Sequence, residues 1–239
     1  MKKIQALLNE LMNHISLSSK IKNILLNIDR ALFLPSSSKH FAYTLDAIYM
    51  GNGRWIPSPL TVLKTIQYLK LQPSDNVLEI GCGNGYQSAI FSQLCQKVVV
   101  LDCDKKLLKK ADKIFDDLKI NNIQTRYIHK GKSWKIKEKF NTIVISMAIK
   151  KVENSWFEQL SEGGRLIAPI IQKENYQLFT LFYKRDGRIE QKVLEQSLFI
   201  TMQDIIERCK TPSKYNIRFW SDFIKQVNIF KISLFDKRL

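Results

Sequence analysis

The first part of the chain carries apolar residues at helical spacing. Leucine and isoleucine recur every three or four positions over 3–28, with a break near 16–19, so this segment predicts two short amphipathic helices. A linker with proline and three serines follows at 29–38. The next loop, at 50–59, is too rich in glycine and proline for a helix or a central strand. Helical spacing returns at 60–69.

From residue 71 the pattern changes to strands that alternate with helices. The predicted strands cover 76–80, 97–101, 123–128, 141–146 and 164–168, and helices begin between them near 86, 105 and 155. This alternation predicts an open parallel sheet with right-handed crossovers. Asp186-Gly187 separates two further apolar runs and predicts a hairpin that adds antiparallel strands at one edge.

These patterns divide the chain into three predicted segments. Residues 1–59 hold the N-terminal helices and the glycine-rich loop, 60–203 hold the α/β core, and 204–239 form a C-terminal helical extension. Aromatic and aliphatic residues from Trp220 to Phe230 lie at helical spacing in the extension. We expect this stripe to pack against its own domain, with a partner-binding helix as the alternative.

Composition narrows the functional classes. Apolar residues make up 45% and charged residues 25%, which is typical of a globular protein and excludes collagen-like, coiled-coil and disordered chains. The net charge of +16 favours an anionic partner, although a lysine-rich coding bias would also make every solvated face positive. No signal peptide and no long apolar run are visible, so we expect a cytoplasmic protein without membrane association.

The cysteines and histidines predict no metal site. Cys82, Cys95, Cys103 and Cys209 form no CxxC pair, and the three histidines lie far apart in the sequence. Cys95 and Cys103 lie in apolar surroundings and are expected to be small core residues of a reduced protein.

The strongest chemical signal is the run VLEIGCGNGYQS at 77–88. A predicted strand ends there, and Gly81, Gly83 and Gly85 let the backbone turn tightly and approach a ligand. The following helix begins with unpaired N–H groups. Asp102 ends the next strand, about twenty residues on, where a carboxylate meets ribose hydroxyls in doubly wound nucleotide folds. The pattern therefore predicts a nucleotide-type cofactor site.

The details of this run favour one cofactor. GxGxG with Glu79 two residues before it differs from the GxGxxG of dinucleotide enzymes, and no Gly-Lys-Ser/Thr follows it. It resembles motif I of class I S-adenosylmethionine-dependent methyltransferases. The resemblance implies a Rossmann-like, doubly wound α/β fold with a mostly parallel seven-stranded sheet and S-adenosyl-L-methionine as cofactor. Dinucleotide binding and a purely structural glycine turn are the alternatives.

Four motifs in order over about residues 5–200 resemble the protein-L-isoaspartate O-methyltransferase family. VLEIGCGNGYQSA is similar to that family's VLEIGxGxGYQxA, MGNGRWIPSP at 50–59 to I-G-x-G-Q-T-I-S-x-P, LSEGGRLIAP at 160–169 to L-x-x-G-G-x-L-x-x-P, and DRALFLP at 29–35 to P-R-x-x-F-V-P. The resemblance implies methyl esterification of L-isoaspartyl residues in damaged proteins. Isoaspartyl-containing proteins or peptides would then be the partners.

The chain departs from the family pattern at several positions. The family's loop serine falls on Pro57, with Ser58 one residue later, and its glutamine and threonine become Arg and Trp at 54–55. The Asp-Gly that contacts the adenine end of the cofactor becomes His129 and a lysine. The Phe-Asp that opens the next strand becomes Phe-Asn at 140–141.

The resemblance implies specific roles. Ser58 is the catalytic candidate, because its hydroxyl could orient the acceptor if the loop shifts register. Asp102 would bind the ribose and His129 the adenine, and Glu79 would accept N–H bonds from the glycine loop or lie near the cofactor's amino group. The remaining cofactor contacts are assigned to Ile56, Gly81, Gly83, Asn84 and Gly85. An isoaspartyl carboxylate has a pKa of roughly 4 and needs no general base near pH 7, so the task is alignment and exclusion of water.

Two other functions stay open. The departures at Pro57, His129 and Asn141 suggest a diverged cofactor-binding protein with weak or no activity. Lysines at 130–139, with Trp134 as a stacking platform and together with Arg54 and Trp55, suggest a nucleic-acid methyltransferase that uses a basic rim. The segment at 145–149 lacks the Asn/Asp-Pro-Pro-Tyr pattern that presents an adenine amine, which weakens the second alternative. We expect a monomer.

Overall fold

The computed structural model describes residues 2–51, 53–129, 134–173 and 176–210. The chain begins with helices α1 (Lys2–Met12) and α2 (Ser19–Asn27), so the predicted helix pair with a break is confirmed. The Ser18 side chain caps α2 by accepting a hydrogen bond from the Ile21 N–H. Two 3₁₀ turns, Arg30–Phe33 and Ser36–Phe41, follow in the predicted linker.

A small hairpin stands where the sequence predicts an irregular loop. Strands β1 (Ile48–Gly51) and β2 (Arg54–Ile56) pair antiparallel, with Ile48 opposite Ile56. Both isoleucines are buried in the hydrophobic cluster that also contains the N-terminal helices. Their burial holds the two strands together despite the glycines at the tip, so the prediction of an irregular loop is wrong. The hairpin forms a sheet of its own, separate from the main sheet.

The remaining elements alternate as predicted. They are α3 (Pro59–Leu69), β3 (Asn76–Ile80), α4 (Tyr86–Ser92), β4 (Lys97–Asp102), α5 (Lys105–Asp117), β5 (Ile123–Tyr127), β6 (Phe140–Ile145), α6 (Asn154–Gln159), β7 (Leu160–Lys173), β8 (Tyr176–Arg185), β9 (Arg188–Ser197) and α7 (Met202–Lys210). The main sheet has seven strands in the order β5-β4-β3-β6-β7-β8-β9. The first five strands in this order, from β5 across to β7, run parallel to one another. Strand β8 pairs antiparallel with β7, and β9 pairs antiparallel with β8. The predicted doubly wound, mostly parallel seven-stranded sheet is confirmed.

The antiparallel edge is longer than predicted. Strand β7 has 14 residues where the apolar run predicts five, because it begins at Leu160, opposite Phe140 of β6, and pairs with β8 as far as Lys173. Asp186 and Gly187 both have positive φ angles, 49° and 71°. These angles are typical of the tight hairpin turn that the Asp-Gly pair predicts.

Side chains of the parallel strands alternate between two hydrophobic layers. Leu78 of β3 lies in the cluster that contains Trp156 of α6, whereas Val77 lies in the cluster that contains Phe91 of α4. Ile205 of α7 joins the α6 cluster and is 2% exposed. The predicted boundary between residues 203 and 204 therefore falls inside a helix that packs on the core. The aromatic stripe predicted further along lies outside the described residues.

The glycine loop also packs against a helix, which yields a stability prediction. Gly85 has a φ of 83°, and a Cβ there would lie 2.5 Å from Cζ of Phe115 and 3.2 Å from Cβ of Ala111. We expect Gly85→Ala to lower the free energy of unfolding by about 2–4 kcal/mol, since backbone strain and overpacking add. Chemical denaturation measures the change.

Gly187→Ala is the matched control. Its φ is 71°, and a Cβ there would meet nothing within 4 Å. The loss should be only about 1–2 kcal/mol, which is the backbone strain alone. Equal losses in the two variants would show that packing against α5 does not restrict Gly85.

Candidate functional site

A cleft opens at the carboxyl ends of the parallel strands, between the glycine loop, the hairpin and the segment before α7. It encloses about 790 Å³, counting the part that opens to solvent. Among the predicted site residues, Ser58, Glu79, Gly81 and Gly83 line it. In open α/β sheets ligands bind at this edge, so the predicted location of the site agrees with the topology.

Gly83 shapes the floor of the cleft. Its φ is 57°, and a Cβ there would meet only Cε of Met50, at 3.9 Å. Packing therefore does not demand glycine here, whereas the left-handed backbone favours it. The open space above Gly83 lets a ligand approach the backbone closely. This is the cradle that a nucleotide-type cofactor requires.

Asp102 is completely buried at the end of β4, behind the glycine loop. Its carboxylate accepts hydrogen bonds from the backbone N–H of Gly83 at 3.0 Å and of Asp104 at 2.9 Å. The Arg54 guanidinium pairs with the same carboxylate, at 2.6 Å from Nη2 to Oδ1 and 3.4 Å from Nη1 to Oδ2. The sequence singles out Arg54 as a departure from the family pattern and as part of a basic rim, but not as a partner of Asp102. The ion pair depends on the hairpin, which the sequence does not predict.

Glu79 has a different set of partners from the predicted one. Gln87 donates to Oε1 from its side-chain amide, and the hydroxyls of Ser146 and Ser88 donate to Oε1 and Oε2. Burial raises the pKa of Glu79, and these three hydrogen bonds oppose the rise. The predicted bonds from glycine-loop amides need correction: Asp102 accepts from the loop, because its carboxylate faces the turn. Glu79 instead ties α4 to the residue that follows β6.

Ser58 begins helix α3 and lines the cleft at the same time. Its Oγ accepts a hydrogen bond from the Leu60 N–H at 3.2 Å, which makes it the helix N-cap. A hydroxyl that accepts through its oxygen can still donate its proton. Ser58 therefore keeps a donor that its capping role does not use, and it lines the cleft next to Pro57.

Arg30 fixes the backbone around the cleft. Its guanidinium donates to the carbonyls of Ala42 and Thr44 at 3.3 and 3.2 Å, and to those of Asp46 and Pro57 at 2.7 and 2.8 Å. Burial lowers the pKa of Arg30 to about 10, so the side chain is still charged near pH 7. The motif DRALFLP marks this arginine in the sequence, but only the fold shows that it holds the loop at Pro57.

Four predicted cofactor residues have other surroundings. Ile56 is fully buried in the core, and Gly85 packs against α5. The Asn84 side-chain amide donates to the carbonyl of Phe33 at 2.5 Å and ties the glycine loop to the N-terminal segment. His129 is exposed beyond β5. Neither these four nor the buried Asp102 is among the described residues that line the cleft, and their cofactor contacts stay predictions.

Several lining residues escape sequence analysis. Leu198, Phe199 and Ile200, together with Ile205 of α7, form one wall of the cleft. They follow the antiparallel edge, and a β-bridge between Ala148 and Thr201 brings their segment to the carboxyl ends of the strands. No local sequence pattern predicts such a long-range contact.

Among the residues that suggested nucleic acid or inactivity, Trp134 and Asn141 do not line the cleft, whereas Arg54, Trp55 and Pro57 do. Trp134 is 4% exposed and packs in the core, so the predicted stacking platform is wrong. The carboxylate of Glu158 pairs with Lys135, and that of Glu138 pairs with Lys97 and Arg126. Asn141 lies at the amino end of β6 and accepts from the Asn76 N–H at 2.9 Å, far from the carboxyl ends where ligands bind.

The described residues contain no cluster of histidine, cysteine or acidic side chains that could hold a metal ion. Cys82, Cys95 and Cys103 are buried, in agreement with the prediction of small core residues for the last two. In the part of the chain that the structure describes, no helix has the length and apolar character needed to cross a bilayer.

Known proteins resemble this chain over most of its length. The profile of the Protein-L-isoaspartate(D-aspartate) O-methyltransferase family matches residues 2–207. A Helicobacter pylori protein-L-isoaspartate O-methyltransferase is 36% identical over 199 residues, which cover 83% of this chain and 95% of the relative. A Petrotoga mobilis protein of the same name is 30% identical over 184 residues, or 77% of this chain and 86% of the relative.

Solved structures agree with the sequence relatives. A protein-L-isoaspartate O-methyltransferase structure of 26% identity superposes with a TM-score of 0.73 and covers 82% of this chain, which spans 65% of that structure. A Plasmodium falciparum structure, solved with S-adenosyl-L-homocysteine, has a TM-score of 0.72 at 21% identity. The match covers 84% of this chain and 98% of the Plasmodium chain, and it supports the fold. The chain belongs to the protein-L-isoaspartate(D-aspartate) O-methyltransferase family and is an S-adenosyl-L-methionine-dependent methyltransferase.

Proposed function

We propose that this chain transfers a methyl group from S-adenosyl-L-methionine to the carboxylate of L-isoaspartyl residues in damaged proteins or peptides. The observation that carries the proposal is the buried Asp102 carboxylate, hydrogen-bonded to the glycine loop at the carboxyl ends of the strands. A carboxylate in that position suits a ribose diol. The family membership supplies the acceptor class.

The chain's own residues fit this cofactor. Gly83 leaves the backbone open to its amino-acid tail, whereas Gly81 lines the cleft with its Cβ direction packed against Met147. Asp102, buried directly behind Gly83, is the carboxylate proposed to bind the ribose. The bound cofactor supplies a methyl group activated by a sulfonium. Glu79, whose side chain already accepts three side-chain hydrogen bonds, lines the cleft where the cofactor's amino group is proposed to bind.

The acceptor side requires alignment rather than proton transfer. A carboxylate with a pKa of roughly 4 is already ionised near pH 7 and attacks the methyl group directly. Ser58 would donate a hydrogen bond that orients it, and Arg30 holds the neighbouring backbone at Pro57. The apolar wall formed by Phe199, Ile200 and Ile205 would exclude water from the reacting atoms.

We propose that the protein acts as a monomer. The buried cysteines suit a reducing compartment, and we infer that the protein works in the cytoplasm.

The first prediction tests the reaction. The protein should transfer radiolabelled methyl groups to an isoaspartyl peptide, but not to the matched aspartyl peptide or to bulk RNA. The label should be lost in alkali, because carboxyl methyl esters hydrolyse readily. If calorimetry shows cofactor binding but no substrate is labelled, the protein is a cofactor-binding protein without activity. Labelled RNA would instead indicate a nucleic-acid methyltransferase.

The second prediction concerns the cofactor site. Asp102→Asn keeps the shape of the side chain but removes its charge, so S-adenosyl-L-homocysteine should bind about 1–3 kcal/mol more weakly. Titration calorimetry measures the affinity, and thermal denaturation confirms that the variant is folded. Unchanged affinity would remove Asp102 from the site.

The third prediction separates the two roles of Ser58. Ser58→Gly removes the hydroxyl but costs the N-cap only a few tenths of a kcal/mol. We expect kcat/KM for the isoaspartyl peptide to fall about tenfold, because losing one hydrogen bond of about 1.4 kcal/mol in the transition state lowers the rate by that factor. The melting temperature should change little. Full activity in this variant would leave Ser58 with a capping role alone.

A further inference from the structure

All the acceptor positions of the Asp102 carboxylate are in use. Oδ1 accepts from Arg54 Nη2 and from the Asp104 N–H, and Oδ2 accepts from the Gly83 N–H and, over a longer distance, from Arg54 Nη1. A carboxylate offers about four acceptor positions. Two therefore go to backbone N–H groups and two to the Arg54 guanidinium.

The cofactor's ribose would need the positions that Arg54 holds. The N–H groups of Gly83 and Asp104 belong to the glycine loop and to the start of α5, and they keep the carboxylate in place. The Arg54 bonds come instead from the end of a long side chain, and a diol has two hydroxyl donors to replace them. This competition rests on the proposed cofactor site.

Arg54 also carries charge into the cleft. It is the sole cationic side chain among the described residues that line the cleft, and it is 5% exposed. Ser58 lies four residues further along the same loop. The proposed acceptor is a carboxylate, and a guanidinium binds a carboxylate through two parallel hydrogen bonds.

A guanidinium displaced from Asp102 inside the cleft needs a new anionic partner, because an uncompensated buried charge is costly. We propose that Arg54 is a substrate-binding residue that Asp102 holds until the ribose hydroxyls replace it, and that the released guanidinium then binds the isoaspartyl carboxylate. Arg54 is thus paired before the cofactor binds and again when both ligands are bound. Cofactor binding therefore favours binding of the acceptor, and the coupling is reciprocal.

The first test measures competition at Asp102 without turnover. Arg54→Gln removes the charge and restores the residue typical of the family. Its affinity for S-adenosyl-L-homocysteine, measured by calorimetry, should rise about tenfold over that of the unmodified protein. In the Asp102→Asn background the same change at Arg54 should have little effect. An affinity that falls or stays the same in the single variant would overturn the competition.

The second test measures recognition of the acceptor charge. With S-adenosyl-L-homocysteine bound, the protein should bind an isoaspartyl peptide at least about tenfold more tightly than the isoasparaginyl peptide, whose amide has the same shape without the charge. Arg54→Gln should abolish this preference, and Arg54→Lys, which keeps the charge, should retain part of it. The isoaspartyl peptide should also bind more weakly when S-adenosyl-L-homocysteine is left out.

Lys64 provides a matched control, because it is a cationic residue paired with a carboxylate outside the cleft. Lys64→Gln removes an ion pair with Glu195 outside the cleft and should leave both affinities unchanged. A preference for the carboxylate that survives in Arg54→Gln, or peptide affinity that is the same with and without S-adenosyl-L-homocysteine, would overturn the substrate-binding role. If the unmodified protein methylates no isoaspartyl peptide, the proposed function fails, and the calorimetric comparison at Asp102 still decides the competition.

Discussion

The buried carboxylate of Asp102 is the group on which the site depends. It lies at the end of β4 and receives hydrogen bonds from the glycine loop, from the start of α5 and from the hairpin arginine. A carboxylate without such partners would be costly to bury. The three elements must therefore meet around it, so the group that would bind the cofactor also fixes the geometry of the cleft.

Two buried arginines contact different groups around the hairpin. Arg30 binds backbone carbonyls up to Pro57 and fixes the path of the chain, whereas Arg54 reaches from β2 to Asp102 through its side chain. A fixed backbone with a long side chain suits a reaction that needs alignment and charge rather than proton transfer. It also explains how a loop with proline at the family's serine position can still line an ordered cleft.

The departures from the family pattern differ in their consequences. Asn141 lies at the amino end of its strand, where it binds the backbone of β3, so that change does not touch the cleft. Pro57 and Arg54 both line the cleft, where the acceptor is proposed to bind. Because the nucleophile is a carboxylate, the loss of a hydroxyl at one position removes a hydrogen bond but no essential base.

Local sequence determined the order of the helices and strands apart from the hairpin, the glycine turn at 81–85 and the acidic residue that ends β4. Periodicity and turn chemistry act over a few residues and are visible in one sequence. The tertiary structure alone decided that Arg54 pairs with Asp102, that Trp134 is buried and that the segment before α7 closes the cleft. Each of these contacts joins residues far apart in the chain, and their pairing depends on packing and on burial of charge, which no local pattern encodes.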